Sequence, residues 1–247
     1  MPSPIAIAPT QPTAPPVAAP VPLWRAWWWL LGLTLLWDWG GADLAVMQAI
    51  GSPDGFALRH QWLLSRVLHD AVRQVAVLFY GLVWLWAAWP ARRPVGPAVL
   101  WRLPRRERLT VALLVTLSLL AVNLIKNASQ TSCPWDLQAF GGQAHYVSHW
   151  ALGAVDGGSG RCFPGGHASS AYAFLALCLP WLMPPAGRPR ERAPGWRWLG
   201  FLMFAGLVAG AVQTVRGAHY PSHTLWTLVI CAGVSLTGWR VAQRWIQ

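Results

Sequence analysis

Three short segments carry residue types that suit phosphoryl chemistry. KNASQTSCPW, Lys126 to Trp135, holds the chain's one lysine. RCFPGGH, Arg161 to His167, holds an arginine, paired glycines and a histidine. QTVRGAHYPSHTLW, Gln213 to Trp226, holds Arg216, His219 and His223. Cations and peptide N–H groups stabilise an oxyanion, while neutral imidazoles can attack phosphorus or move protons. Gly165 and Gly166 free the backbone to approach a ligand closely, and the apolar run after His167 would add the positive end of a helix. One imidazole would form a phosphohistidine, a second would protonate the leaving oxygen, and water would then release phosphate. The catalytic candidates are His219, His167 and His223. The substrate-binding candidates are Lys126, Arg216, Arg161, Gly165 and Gly166. No acidic cluster stands beside them, so the expectation is chemistry with no metal and no cofactor.

These segments need a scaffold, and composition says which kind. The 247 residues are 55% hydrophobic and 11% charged, with 19 tryptophans, against about 25% charged in a soluble domain. Six apolar runs approach the ~20 residues that a crossing needs. They lie near Leu23–Trp39, Val72–Trp89, Leu109–Ile125, Ala168–Met183, Trp198–Val215 and Thr224–Trp239. The fold class expected is all-α, a polytopic bundle of about six transmembrane helices over residues 23–247. Residues 1–22, rich in Pro and Ala, read as a disordered cytoplasmic tail, with neither the basic nor the apolar region of a cleavable signal.

The net charge of +11 would suit nucleic acid, but its distribution is that of a topology signal. Arg92, Arg93, Arg102, Arg105, Arg106 and Arg108 share one connection and Arg188, Arg190, Arg192 and Arg197 another. Arg25 stands at the start of the first run; Arg240 and Arg244 follow the last. All fall on one side if both termini are cytoplasmic. His60, His69, His145, His149, His167, His219 and His223 then fall on the other, with Lys126 just beyond the third helix. The site is expected on the outer face of a bacterial-type plasma membrane. The lipid bilayer and a membrane lipid phosphate are the expected partners, and nucleic acid is not.

The motif residues resemble the type-2 phosphatidic acid phosphatase superfamily, whose motifs are K-x6-R-P, P-S-G-H and S-R-x5-H-x3-D. Lys126 and Pro134 match the first, with Cys133 in place of Arg. Pro164, Gly166 and His167 match the second, with Gly165 in place of Ser. His219 matches the third-motif histidine, and His219-Tyr220-Pro221-Ser222 resembles the family's H-Y-P-S run. His223 stands where that motif has Asp, and Gln213 where it has Arg. The resemblance implies six membrane helices, an outward site and a metal-independent phosphatase acting on a lipid phosphate or diphosphate. His219 would be the nucleophile and His167 the proton donor.

The departures raise specific expectations. Arg216, nearly one helical turn beyond Gln213, would return the missing charge to the same side. His223 can accept a hydrogen bond but carries no negative charge, so either the nucleophile is weaker or a second carboxylate comes from Asp136, Asp156 or Asp70. If helical, His219 and His223 share a face; a shifted register would make His223 the nucleophile, and the H-Y-P-S match favours His219. Cys133 and Cys162, each beside a motif, could pair in an oxidising compartment. Cys178 and Cys231 read as packing residues within helices. His145 and His149 have the i, i+4 spacing of metal ligands or of a structural pair. Two other functions stay open: a phosphotransferase, with an acceptor replacing water, and a bis-histidine haem protein, for which histidines at helix ends are poorly placed.

Overall fold

A computed structural model describes residues 21–90, 103–187 and 190–246. The Pro/Ala tail up to residue 20 lies outside them, as do Arg92, Arg93, Arg102 and Arg188. The described chain is helical and without a strand: α1 (Leu23–Trp39), α2 (Ala42–Ile50), α3 (Leu63–Ala88), α4 (Arg105–Ala128), α5 (Ser169–Leu182), α6 (Ala193–Val215) and α7 (Pro221–Ile246). Helices α3, α4, α6 and α7 are each long and apolar enough to cross a bilayer. The pair α1 and α2, bent by 66° at Gly40-Gly41, makes a fifth candidate. Trp29, Leu36, Leu78, Leu85, Leu124 and Phe204 are all more than half exposed. Such an apolar exterior is what lipid, not water, would cover.

The sixth expected crossing is α5, shorter than the ~20 residues of a lone span. It is buried continuously over residues 171–183. Its middle, Ala173–Cys178, winds as a 3-10 helix, which rises about 2.0 Å per residue instead of ~1.5 Å and so stretches a short sequence. Apolar on every side, it forms the core on which α4, α6 and α7 pack. Gly206 and Gly210 of α6 permit close approach: a Cβ at either would lie 2.1 Å from the Tyr172 ring and 2.3 Å from Thr224, respectively.

The helix boundaries shift three expectations. Helix α3 starts nine residues earlier than Val72, as a π-helical run over Leu63–Ala71, so His69 and Asp70 are helical. Lys126 sits inside the last turn of α4. His219 lies in the turn before α7 and His223 in its first turn, so the two histidines do not share one helix.

The arginine-bearing end is a structural clamp as well as a charge pattern. Arg190 grips the buried Glu107 with both Nη atoms, at 2.6 and 2.8 Å. Arg108 donates to the carbonyls of Trp86 and Trp89 at 2.7 and 2.9 Å, joining α3 to α4.

At the histidine end, α6 closes with Gly217 in the left-handed region at φ 75°. Gly217 N–H donates to the Thr214 carbonyl and Ala218 N–H to Gln213, a Schellman closure that turns the chain two residues before His219. A Cβ at 217 would lie 2.2 Å from the Phe56 ring. Gly217→Ala is therefore expected to cost about 1–2 kcal/mol from backbone strain alone, with more from the clash. Thermal unfolding in detergent should show a lower midpoint; an unchanged midpoint would refute the assignment of this turn.

Candidate active site

Loops from distant parts of the sequence meet at this end. A disulfide joins Cys133 to Cys162, tying the segment after α4 to the approach to α5. Trp135 N–H donates to Gly217 O at 2.9 Å, tying the same segment to the turn after α6. Asp43 of α2 caps α7, accepting from Ser222 N–H at 2.9 Å and from the Ser222 hydroxyl; a carboxylate is stabilising at a helix N-terminus. Asp38 accepts from Trp226 Nε1 at 2.6 Å, His149 Nε2 at 3.1 Å and Trp150 Nε1 at 3.2 Å. The two N-terminal carboxylates thus hold the start of α7, and with it the turn bearing His219.

Four histidines form a contiguous group. The His69 and His167 rings meet at a tilt of 37° with centroids 4.1 Å apart, His167 and His219 are at 5.9 Å, and His219 and His223 at 5.8 Å. A cavity of about 460 Å³ opens against two of them, His69 and His167. Lys126, Arg73, Asn123, His69, Gly166 and His167 line its polar end, and Val72, Val77, Tyr80, Leu119 and Phe174 continue it as an apolar wall between helices. Lys126 lies over Gly166: a Cβ there would meet the lysine stem at 3.5 Å. Among the described residues, neither Lys126 nor Arg73 forms an ion pair. His219 lies in the layer behind His167 and is 3% exposed.

Other candidates take different places. Arg216 is buried, donating through Nη1 to Gln213 Oε1 at 3.1 Å and through Nε to Arg59 O at 3.1 Å. Its guanidinium therefore does lie beside residue 213, where the motif's arginine would stand. Cys162 Sγ, in the disulfide with Cys133, is 3.3 Å from His219 Nδ1, so residue 133 enters the site as a half-cystine. His223 does not orient His219. Its Nδ1–H donates to Cys162 O at 3.0 Å, and its Nε2 is buried without a partner.

Two of the binding candidates need correction. Gly165 N–H is already donated to His223 O at 3.0 Å; its value is the missing side chain, since a Cβ would crowd that oxygen at 3.2 Å. Arg161 is exposed, in left-handed backbone, and does not line the cavity.

Of the three carboxylates considered, Asp156 is spent on Ser132 and Gly158, and Asp136 accepts from Ser159. Asp70 alone reaches the imidazole group, through His69 Nδ1 at 2.7 Å. His145 and His149 are not a ligand pair: His149 stacks on Phe163 and meets Asp38, while His145 is exposed. One group of potential ligand atoms occurs among the described residues, Cys133, Cys162 and His219, and its two sulfurs are bonded to each other. Arg73 and Asn123 escaped the sequence reading because each sits as a polar interruption in an apolar helix.

Burial, then the charges of His69, Lys126, Arg216 and Arg73, lowers the His167 pKa to about 3. Burial, then His223, Lys126 and His167, pushes His219 down as well. A histidine in the unfolded chain titrates near 6.5, so between about pH 6.5 and 3 the unfolded chain binds a proton that folded His167 refuses. Stability is therefore present above that window and falls as pH drops through it, by at most about 1.4 kcal/mol per pH unit per histidine. The melting midpoint should fall from pH 7.5 to 4.5, and His167→Gln should reduce the fall. A midpoint that rises on acidification would contradict this arrangement.

The fold and site define a membrane-type helix bundle with an imidazole and cation pocket at one end. The PAP2 superfamily model matches residues 108–247, and the chain belongs to that superfamily. Comparison with curated proteins gave no match, and comparison with solved structures gave none.

Proposed function

We propose that this protein is an integral-membrane phosphatase that hydrolyses a lipid phosphate or diphosphate through a phosphohistidine on His219, without a metal ion. The observation carrying the proposal is the cavity that joins Lys126, Arg73 and His167 at one end to an apolar interhelical wall at the other. Cations without acidic partners suit a phosphate, and the wall suits an acyl or prenyl chain. Bound oxyanion would also satisfy His167 Nδ1, buried without a partner.

With Nδ1 against the disulfide sulfur, His219 keeps Nε2 as the attacking nitrogen. Lys126 and Arg216 stabilise charge on the phosphoryl oxygens. His167, which lines the cavity beside Lys126, protonates the leaving oxygen, and water then displaces phosphate from His219. The arginine-rich helix ends support a cytoplasmic placement of both termini, with the site on the periplasmic or extracellular face of a bacterial-type plasma membrane. The test is phosphate release by detergent-purified protein from phosphatidic acid, phosphatidylglycerol phosphate and undecaprenyl diphosphate in EDTA. Release that survives chelation is expected; loss on chelation would refute the histidine mechanism.

A further inference from the structure

We infer that Arg73 binds the phosphate that stays with the lipid when a diphosphate is cleaved, which makes lipid diphosphates the preferred substrates; this rests on the phosphatase reading above. Arg73 lies outside the stretch matched to the superfamily, residues 108–247, so the assignment concerns what the N-terminal part of this chain adds. It also lies within a helix apolar enough to cross a bilayer, Leu63–Ala88, where a charge is costly and calls for a counter-charge. Asp70, the acid nearest to it in sequence, is taken by His69 and Arg66. Among the described residues Arg73 forms no ion pair.

The polar end of the cavity has two layers. Helices α3 and α4 run in opposite directions, since Arg108 at the start of α4 donates to the Trp86 and Trp89 carbonyls at the end of α3. His69 on α3 packs on His167, and Lys126 on α4 lies over Gly166, so these four mark one level. Arg73 is four residues further along α3 and Asn123 three residues back along α4, so both lie about one turn deeper, ~5 Å towards the bilayer centre. Asn123 Nδ2 donates to Leu119 O at 2.8 Å. Beyond this second layer the wall is apolar: the Tyr80 hydroxyl is bonded to Thr116 Oγ1 at 2.9 Å, and Val77, Leu119 and Phe174 complete it. A lipid whose tail follows that wall places its terminal phosphate at Lys126 and His167, and the group that links phosphate to tail at Arg73.

Charge decides what that linking group is. A phosphate monoester carries roughly −1.5 to −2 at pH 7, which Lys126 and Arg216, assigned above to the transferred group, already match. Arg73 is a further cation one turn away. In a phosphatidic acid it would face uncharged glycerol esters. In a diphosphate the second phosphate falls there, and the guanidinium presents its planar fork to two of its oxygens. After burial and the charges of His69, Lys126 and Arg216, the charge of Arg73 also pushes the His167 pKa down, so it reaches a group bound beside His167. In the reaction, His219 Nε2 bonds to the terminal phosphorus as the bond to the bridging oxygen breaks. That oxygen takes the proton of His167, whose imidazolium the bound phosphates stabilise. The lipid monophosphate is held by Arg73 as it departs. Water then bonds to phosphorus as the P–N bond breaks, its proton passes to His167, and inorganic phosphate leaves.

Farnesyl diphosphate and farnesyl phosphate test this, because they share a tail and differ only in the second phosphate. With detergent-purified full-length protein in EDTA, wild type should turn over the diphosphate with the higher kcat/KM. Arg73→Gln should lower that kcat/KM on the order of 50-fold, as for a lost charged hydrogen-bond pair. For the monophosphate it should cost about threefold, through loss of a more distant charge. Arg73→Lys should recover part of the diphosphate rate, since it keeps the charge without the fork. Continued monophosphate turnover by Arg73→Gln shows that the variant is folded. Equal losses on the two substrates would put Arg73 on the transferred phosphoryl group, and an unchanged diphosphate rate would make it an interfacial cation; either overturns the assignment. A wild type that hydrolyses the monophosphate and not the diphosphate would overturn it too, with the phosphatase reading intact. Wild-type protein inert towards both would overturn the phosphatase reading, and this assignment with it.

Discussion

His219→Ala should reduce phosphate release on the order of 10⁴-fold or more, because a covalent step loses its nucleophile and no neighbour can replace it. His223 cannot substitute: its Nδ1–H is committed to Cys162 O and its Nε2 is enclosed in protein. Protein quenched in alkaline detergent after incubation with ³²P-labelled phosphatidic acid should carry alkali-stable, acid-labile label in wild type and none in His219→Ala. The variant leaves Lys126, Arg73 and His167 untouched, so vanadate should still protect it against thermal unfolding. Label retained in His219→Ala and lost in His223→Ala would reverse the two histidines' roles.

Removing the disulfide should have the second-largest effect, on activity and stability together. Cys162 touches both histidines of the third segment, through Sγ to His219 and through its carbonyl to His223. Its partner Cys133 is 29 residues away, a loop whose release costs about 3–4 kcal/mol in the chain-entropy view. Freeing Cys162 would let His219 drift, and a misplacement of ~1 Å can cost about 100-fold in rate. The Cys133→Ser/Cys162→Ser variant should lose about that factor in kcat and melt several degrees lower. Cys178→Ala and Cys231→Ala, at the two buried free thiols, serve as controls that should keep the rate. A double variant with wild-type kcat would show that the tether does not position the nucleophile.

The sequence made much of the scaffold legible because apolar runs and the Pro and Gly residues between them mark helices directly. Leu23–Trp39 has the bounds expected of it. Helix α3 does not, for a physical reason: Arg66, His69, Asp70 and Arg73 interrupt its hydropathy, and two of these, His69 and Arg73, line the cavity, so residues beside the site hid the helix that holds them. Helix α5 looked like one more crossing because enclosure by protein and exposure to lipid select the same side chains. The candidate residues His167, Lys126 and Arg216 were visible as types in a pattern. What Gly165, Arg161 and His223 do was not, since a committed N–H, an outward side chain or a hydrogen bond to Cys162 O depends on loops folding together over long sequence separations. The buried partners Glu107 and Asp43 gave no signal at all, because a lone acid in an apolar chain does not name its base or its helix end.

The Asp43 cap on α7 has a consequence for how this chain can be divided. The part matched to the superfamily starts at residue 108, yet the helix that follows His219 begins on a carboxylate supplied from residue 43. Asp38, Arg59 O and the Trp86 and Trp89 carbonyls are further debts of the matched part to the N-terminal third. The recognisable portion is therefore not a transplantable module. A chimera that swaps in another N-terminal segment, with no acid in the place of Asp43, would inherit every superfamily motif and still leave α7 uncapped.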